Sequence, residues 1–384
     1  MESSELGLGA TTRDASDNSQ ISETHVTEAQ GLILGIRQAY ESGRPLYPIN
    51  DVNELLQFAA QYRSNPNADS TSYRGPDFFG HEQWWTFSED QLHSAKLDLS
   101  PIQWLITMPY ACSDPQKLLT RAFSLQPMGG IQVSTSHAKL RSPDPSRYIQ
   151  EQFTKAKSKW HESDYKTRID GALRNAFTQC FAHDDQPFTK ILVIGTGTLE
   201  LDITLPGSNW KCATKHVFGF DLRNMLQGLT RGRAGIELVF QDSEYSDITK
   251  EASAMQDPTV KVVREDNLDH ILHIDDHTLL VALGGIELPL KQIIAEYATA
   301  TPCEQRLPRA IIWEEGIQVT WEDMEKMAAQ YCTGSPVTTV DIWRDSPRTN
   351  KLEDQYVKFE FPAPEEGEPD YFQASPRLAI YVRK

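Results

Sequence analysis

Cysteine is scarce in this chain. Its five residues, Cys112, Cys180, Cys212, Cys303 and Cys332, are odd in number and form no Cys-x-x-Cys pair. That pattern excludes a disulfide framework and a cysteine-rich zinc module, and it fits a reducing compartment. Long apolar runs are missing too: none approaches the ~18 residues that a membrane span requires. Residues 1–27 are polar and acidic and lack the apolar stretch of a secretory signal, so the expected address is the cytosol or nucleus. Positive charge is in deficit, with 37 Lys and Arg against 54 Asp and Glu, a formal net charge of -17. Such a field repels phosphate backbones and argues against general nucleic-acid or anionic-membrane binding. The best local basic run, Lys155, Lys157, Lys159 and Lys166, reads as the wet face of a helix. No H-E-x-x-H, Walker loop, G-x-S-x-G or clear catalytic triad is present, so no metal, cofactor or reaction is announced by motif.

What is present is ordinary globular composition, 39% hydrophobic and 24% charged. A length of 384 residues suggests two domains, or one with extensions. Residues 1–27 have no periodicity and are expected to be disordered. Residues 28–145 are expected to form an α+β extension. Ala29, Leu32, Ile33, Ile36 and Ala39 recur at helical spacing, and Val52, Leu55, Leu56 and Ala59 mark a second helix for which Asp51 is a candidate cap. Residues 64–77 look like a loop. The segment from Trp84 looks like a strand or turn leading into a short helix at Ser88, residues 101–108 have strand character, and residues 126–146 look like a surface connection. A long helical stripe then runs from about Arg147 to Phe181, with a break expected near Ser163-Asp164.

Residues 146–384 carry the clearest pattern. Ile191 to Ile194 is a continuous apolar run ended by Gly195-Thr196-Gly197, the signature of a buried parallel strand. Further strands are expected at 236–242, 260–263, 278–283 and 309–315, alternating with helices at about 211–230, 247–255, 289–297 and 321–331. Such alternation predicts βαβ units. The expected fold class is α/β: a Rossmann-like, mainly parallel sheet with helices on both faces and its core at 189–315. Segments 337–343, 356–361 and 378–382, read without helices between them, are expected as antiparallel strands at the C-terminus.

Ligands of such sheets bind outside the carboxyl ends of the strands. The candidate ligand-binding residues are therefore Gly195, Thr196, Gly197, Thr198, Asp242, Gly284, Gly285, Glu287 and Glu314. The nucleotide fingerprint is incomplete: Glu200 stands where a third glycine belongs, and the acid closing the second strand, Asp242, is 47 positions after Gly195, against about 20 in the usual motif. A purely structural turn is the plainer reading. His270, His273 and His277 with Asp275 and Asp276 suggest metal ligands by spacing, or simply a solvated corner. Trp84, Trp85 and Trp104 line either a pocket or a core. Of Glu314 and Glu315, alternation lets only one enter a site.

Residues 215–226 ("KHVFGFDLRNML"), 238–255, 260–298 and 309–315 together resemble the SRR1-like domain family, in particular its fungal versions. The matching features run in order. They are a strand with a glycine turn, a helix with His216 and the Leu222-Arg223 pair, a strand ending in Asp242 with Tyr245 shortly after, a Val-Val strand before an acidic stretch, and a proline-bearing loop into a helix. Plant and animal members carry a Pro-His-Cys-like element where this chain has Gly284-Gly285-Ile286-Glu287-Leu288-Pro289, and an Asp-Pro where it has Asp242-Ser243. The resemblance implies a regulatory or scaffold protein. Its relatives are associated with light signalling and circadian timing, microtubule-related phenotypes and haem metabolism, and bring no established reaction. Other proteins are then the expected partners, with a nucleotide or S-adenosylmethionine-like small molecule at the strand ends as the alternative.

Overall fold

The computed structural model of the chain describes residues 23–47, 49–64, 71–77, 79, 81–87, 95–99, 123–127, 145–181, 188–197, 199, 211–229, 235–242, 245, 247–264, 271, 274–283, 289–299, 307–332, 345–372 and 377–384. Helices α1 (Glu23–Glu41) and α2 (Ile49–Ser64) come first, then an antiparallel pair β1 (Ser72–Pro76) and β2 (Glu82–Thr86), and a second pair β3 (Ala95–Leu99) and β4 (Phe123–Pro127). Helices α3 (Pro145–His161) and α4 (Asp164–Phe181) lead into the alternating part: β5 (Lys190–Ile194), α5 (Lys211–Leu229), β6 (Glu237–Asp242), α6 (Asp247–Gln256), β7 (Lys261–Arg264), β8 (Thr278–Ala282), α7 (Leu290–Thr299), β9 (Ala310–Glu314) and α8 (Trp321–Cys332). The chain closes with α9 (Pro347–Glu353), β10 (Tyr356–Glu360) and β11 (Leu378–Arg383).

The molecule is a mixed α/β protein with one seven-stranded, mostly parallel sheet flanked by helices. Its strand order is β10-β11-β9-β8-β5-β6-β7. Strands β7, β6, β5, β8 and β9 pair in parallel, and β11 and β10 add antiparallel. The order reverses at β5, which lies between β6 and β8. Strands β5, β8 and β9 are buried along their whole length, which is why their sequences are unbroken apolar runs.

Strand alternation divides the core into two layers. Leu192, Ile194, Val239, Leu280, Ile311 and Trp313 face one side, where they pack with Ile33, Ile36 and Tyr40 of α1, Leu55 of α2, Ile294 of α7 and Met324 of α8. Ile191, Val193, Phe240, Val281 and Ile312 face the other, with Phe153 of α3, Ile169 and Leu173 of α4, Val217 of α5 and Ala252 of α6. The N-terminal helices thus share a core with the sheet. Fully burying each such aliphatic side chain contributes about 1.5–3 kcal/mol.

The helical stripe of 147–181 does break at Ser163-Asp164 as expected, and Ser163 caps α4 there by accepting from the Lys166 amide at 3.2 Å. Several boundaries differ from the sequence expectation. Residues 72–76 are a strand rather than a loop: Tyr73 and Trp85 sit opposite each other in its pairing with β2, and this outweighs Gly75 and Pro76. Gln126 and Pro127 belong to β4, and Pro145 opens α3. A helix, α9, does stand before β10, started by Pro347 and by a capping box in which Ser346 and Thr349 satisfy each other's backbone amides. Asp51 lies inside the first turn of α2 and not at its cap. Helix α1 begins at Glu23, inside the expected tail. The segments 101–108 and 337–343, the helix at Ser88 and residues 1–22 lie outside the described residues.

Candidate functional site

The turn after β5 is built by two glycines. Gly195 and Gly197 hold φ of 78° and 72°, the left-handed region where a Cβ is penalised. Gly195 N–H donates to Gln241 O of β6 at 3.3 Å, and Leu283 N–H of the next strand donates to Ile194 O at 3.0 Å, so the turn is pinned from both neighbouring strands. A Cβ on Gly197 would fall 2.7 Å from Cys212 Sγ at the start of α5.

Three polar side chains close on this turn. Asp242, at the end of β6, accepts the Gly197 N–H on Oδ2 at 2.8 Å. Lys215, buried in the second turn of α5, donates from Nζ to Gly195 O at 3.0 Å. Thr196 is fully buried and its hydroxyl meets the Tyr245 hydroxyl. Helix α5 brings these groups in because it is covered nearly all round, with Thr214, Lys215, His216 and Arg223 buried beside its apolar residues. Gly219 lets it approach β6: a Cβ there would lie 2.6 Å from Phe240 Cε1.

His216 sets the direction of the buried chain. Its Nδ1 lies 2.7 Å from Cys212 O, a carbonyl that can only accept, so Nδ1 carries the proton. Burial lowers its pKa to about 4, the Cys212 carbonyl opposing and the Lys215 charge adding to the fall. The ring is therefore neutral near pH 7, and Nε2 accepts from the Tyr245 hydroxyl at 3.1 Å. Tyr245 in turn accepts from Thr196. Burial also holds the Tyr245 phenol well above its usual pKa, so it remains a donor.

The structure brings Gly195, Thr196, Gly197 and Asp242 together. Glu314 is buried at the same end of the sheet, but on β9, two strands beyond β5. At about 4.8 Å per strand it stands near 10 Å to the side. Thr198, Gly284, Gly285 and Glu287 lie outside the described residues, as do His270, His273 and Trp104. Among the described residues no three His, Cys, Asp or Glu side chains gather as a metal site. Asp275 accepts from the His277 amide and the Thr278 hydroxyl, a turn that holds the corner before β8. Trp85 is core, its Nε1 donating to Gly75 O, whereas Trp84 is 67% exposed. Glu315 pairs with Lys358 on the surface, opposite in facing to Glu314.

Lys215, His216 and Tyr245 were not among the expected site residues. Lysine defaults to the surface, and the only hint of its burial was the lack of a polar face on α5. Among the described residues no helix is long and apolar enough to cross a membrane. Comparison with protein-family models and with curated proteins finds no match for this chain.

Proposed function

We propose that this chain is a regulatory or scaffold protein of the cytosol or nucleus, built on a Rossmann-like core of the SRR1-like kind, acting through other proteins and without catalysis of its own. The strand order, reversing at β5 with parallel strands β6 and β7 to one side and β8, β9 and the antiparallel β11 and β10 to the other, supports the Rossmann-like description. The observation that carries the function is the closed glycine turn. In a dinucleotide site the amide groups after the first strand face a phosphate. Here the Gly197 amide faces the Asp242 carboxylate. A phosphate would have to displace a negative side chain already hydrogen-bonded there, and Lys215 is turned to the Gly195 carbonyl. The turn behaves as a structural joint between β5, β6 and α5.

A second reading, an enzyme or sensor binding a nucleotide or S-adenosylmethionine, is favoured by one feature: both glycines take left-handed φ where the strand order reverses. Thermal melting separates the two. A ligand present at a hundred times its Kd adds about 2.7 kcal/mol to native-state stability. The regulatory reading expects no shift in Tm with ATP, NAD or S-adenosylmethionine. It also expects Asp242→Ala to cost about 1.5–3 kcal/mol, the usual value of a hydrogen bond to a charged group. A ligand-dependent rise in Tm that Asp242→Ala abolishes, with the variant's own stability unchanged, would overturn it.

A further inference from the structure

We propose that the buried cluster Lys291–Asp345–Glu353 is a proton-dependent latch, which with Glu353 neutral fastens α9 and the turn after β9 to the rim of the sheet, and which slackens when Glu353 ionises. The cluster lies beyond the C-terminal end of β9, two strands to the side of the glycine turn, and does not depend on the reading of that turn. Lys291 opens α7 and places Nζ 3.0 Å from Asp345 Oδ1 and 3.6 Å from Glu353 Oε1. The same ammonium lies 5.4 Å from the centre of the Trp313 ring. Asp345 is fully provided for, since its other oxygen accepts the Ile317 N–H at 3.1 Å.

Glu353 is the surplus acid. Two carboxylates surround one ammonium, so the ionised cluster buries a net negative charge, and burying an uncompensated charge is costly. Glu353 Oε1 is buried without a hydrogen bond. Its carboxylate presses on Gly316, where an added Cβ would collide with both oxygens. Gly316 N–H also reaches the Tyr381 hydroxyl at 3.4 Å. The groups facing Glu353 are thus Lys291 from α7, Asp345 from the segment before α9, Tyr381 from β11 and the Gly316 backbone after β9; Glu315 acts on Tyr381 from farther off. Burial raises the Glu353 pKa, with Lys291 pulling it down, Asp345 pushing it up and the Tyr381 hydroxyl, which donates to the carboxylate, lowering it.

The part that moves is defined by what the carboxylates hold. Glu353 is the last residue of α9, and residues 315–320 form an irregular segment carrying the exposed Ile317. The other end of α9 is fixed separately: Arg348 pairs with Glu296 of α7 and donates to the Tyr40 and Arg44 carbonyls. Slackening at Glu353 therefore frees the end of α9 and the Gly316–Ile317 turn and leaves the start of α9 in place.

The sign follows from the raised pKa. The native state keeps a proton that the unfolded chain has already lost, so the stabilising contribution is full below the ordinary glutamate pKa and disappears as pH rises through the native one. Glu353→Gln is neutral at every pH and imitates the closed latch. Tm and peptide hydrogen exchange, corrected for intrinsic rate, would be measured for both proteins from pH 4.5 to 8. The latch expects Glu353→Gln to melt higher than the parent at pH 8, with the gap shrinking towards pH 4.5. It expects residues 315–320 and 349–353 to be more protected in the variant at pH 8, by about tenfold for each unit of displaced pKa. A gap that does not change with pH would show that Glu353 titrates alike in the folded and unfolded states, and a variant less stable at pH 8 or unable to fold would show that the ionised pair with Lys291 is the stabilising form; either result would discard the proposal.

Discussion

At Gly197 two constraints meet, a left-handed backbone and a thiol that an added Cβ would strike, and Asp242 holds its amide. His216 is the member whose chemistry is easiest to reach. Its native pKa of about 4 lies below the ordinary value of 6.5. Between these limits the unfolded chain holds the extra proton, so this stabilising contribution is full above pH 6.5 and is lost as pH falls towards 4. One such proton contributes at most about 1.4 kcal/mol per pH unit. Urea midpoints taken from pH 7 to 4.5 should fall more steeply for the native protein than for His216→Gln, which has no proton to gain. Parallel curves would mean that the ring is not buried neutral. Gly195, Gly197 and Asp242 were legible in the sequence because strand ends and glycines are local signals. Thr196 was named with them, but its bond to Tyr245, the onward link to His216 and the burial of Lys215 were not legible, because the direction a side chain takes depends on what the fold lays against it.

Among the elements, the buried parallel strands were the most readable, since burial on both faces demands unbroken apolar runs such as those of β5 and β8. Helix α9 was hidden by its seven residues and its Ser-Pro start, and its stability comes from the capping box and from buried pairs to α7. Strand β1 was hidden by Gly75 and Pro76, and only its partner β2 explains it. The contact between α5 and β6 tests whether the closeness of a helix governs the site. Gly219→Ala would press a methyl group on Phe240, and overpacking of this kind costs about 1–3 kcal/mol. Chemical denaturation should show that loss, and a Gly219→Ala, Phe240→Leu double variant should recover part of it. No recovery would place the strain elsewhere.

Across the whole molecule, one sheet organises both layers. The N-terminal helices and the C-terminal α9 lie on the same face, where Tyr40 donates from its hydroxyl to Ser346 Oγ at 2.9 Å. On the opposite face α5 carries the polar residues that seal the rim at β5 and β6. On the proposed reading, the Gly197 amide at this strand end is held by the Asp242 carboxylate rather than offered to a ligand. The Gly197 amide is the most direct witness to this. Its hydrogen exchange, followed by NMR in the native protein and in Asp242→Ala, with and without S-adenosylmethionine or ATP, measures the closure itself. A protected amide that exchanges at least tenfold faster in Asp242→Ala and ignores both ligands is the expected result. An amide that exchanges freely in the native protein and becomes protected when either ligand is added would contradict the account.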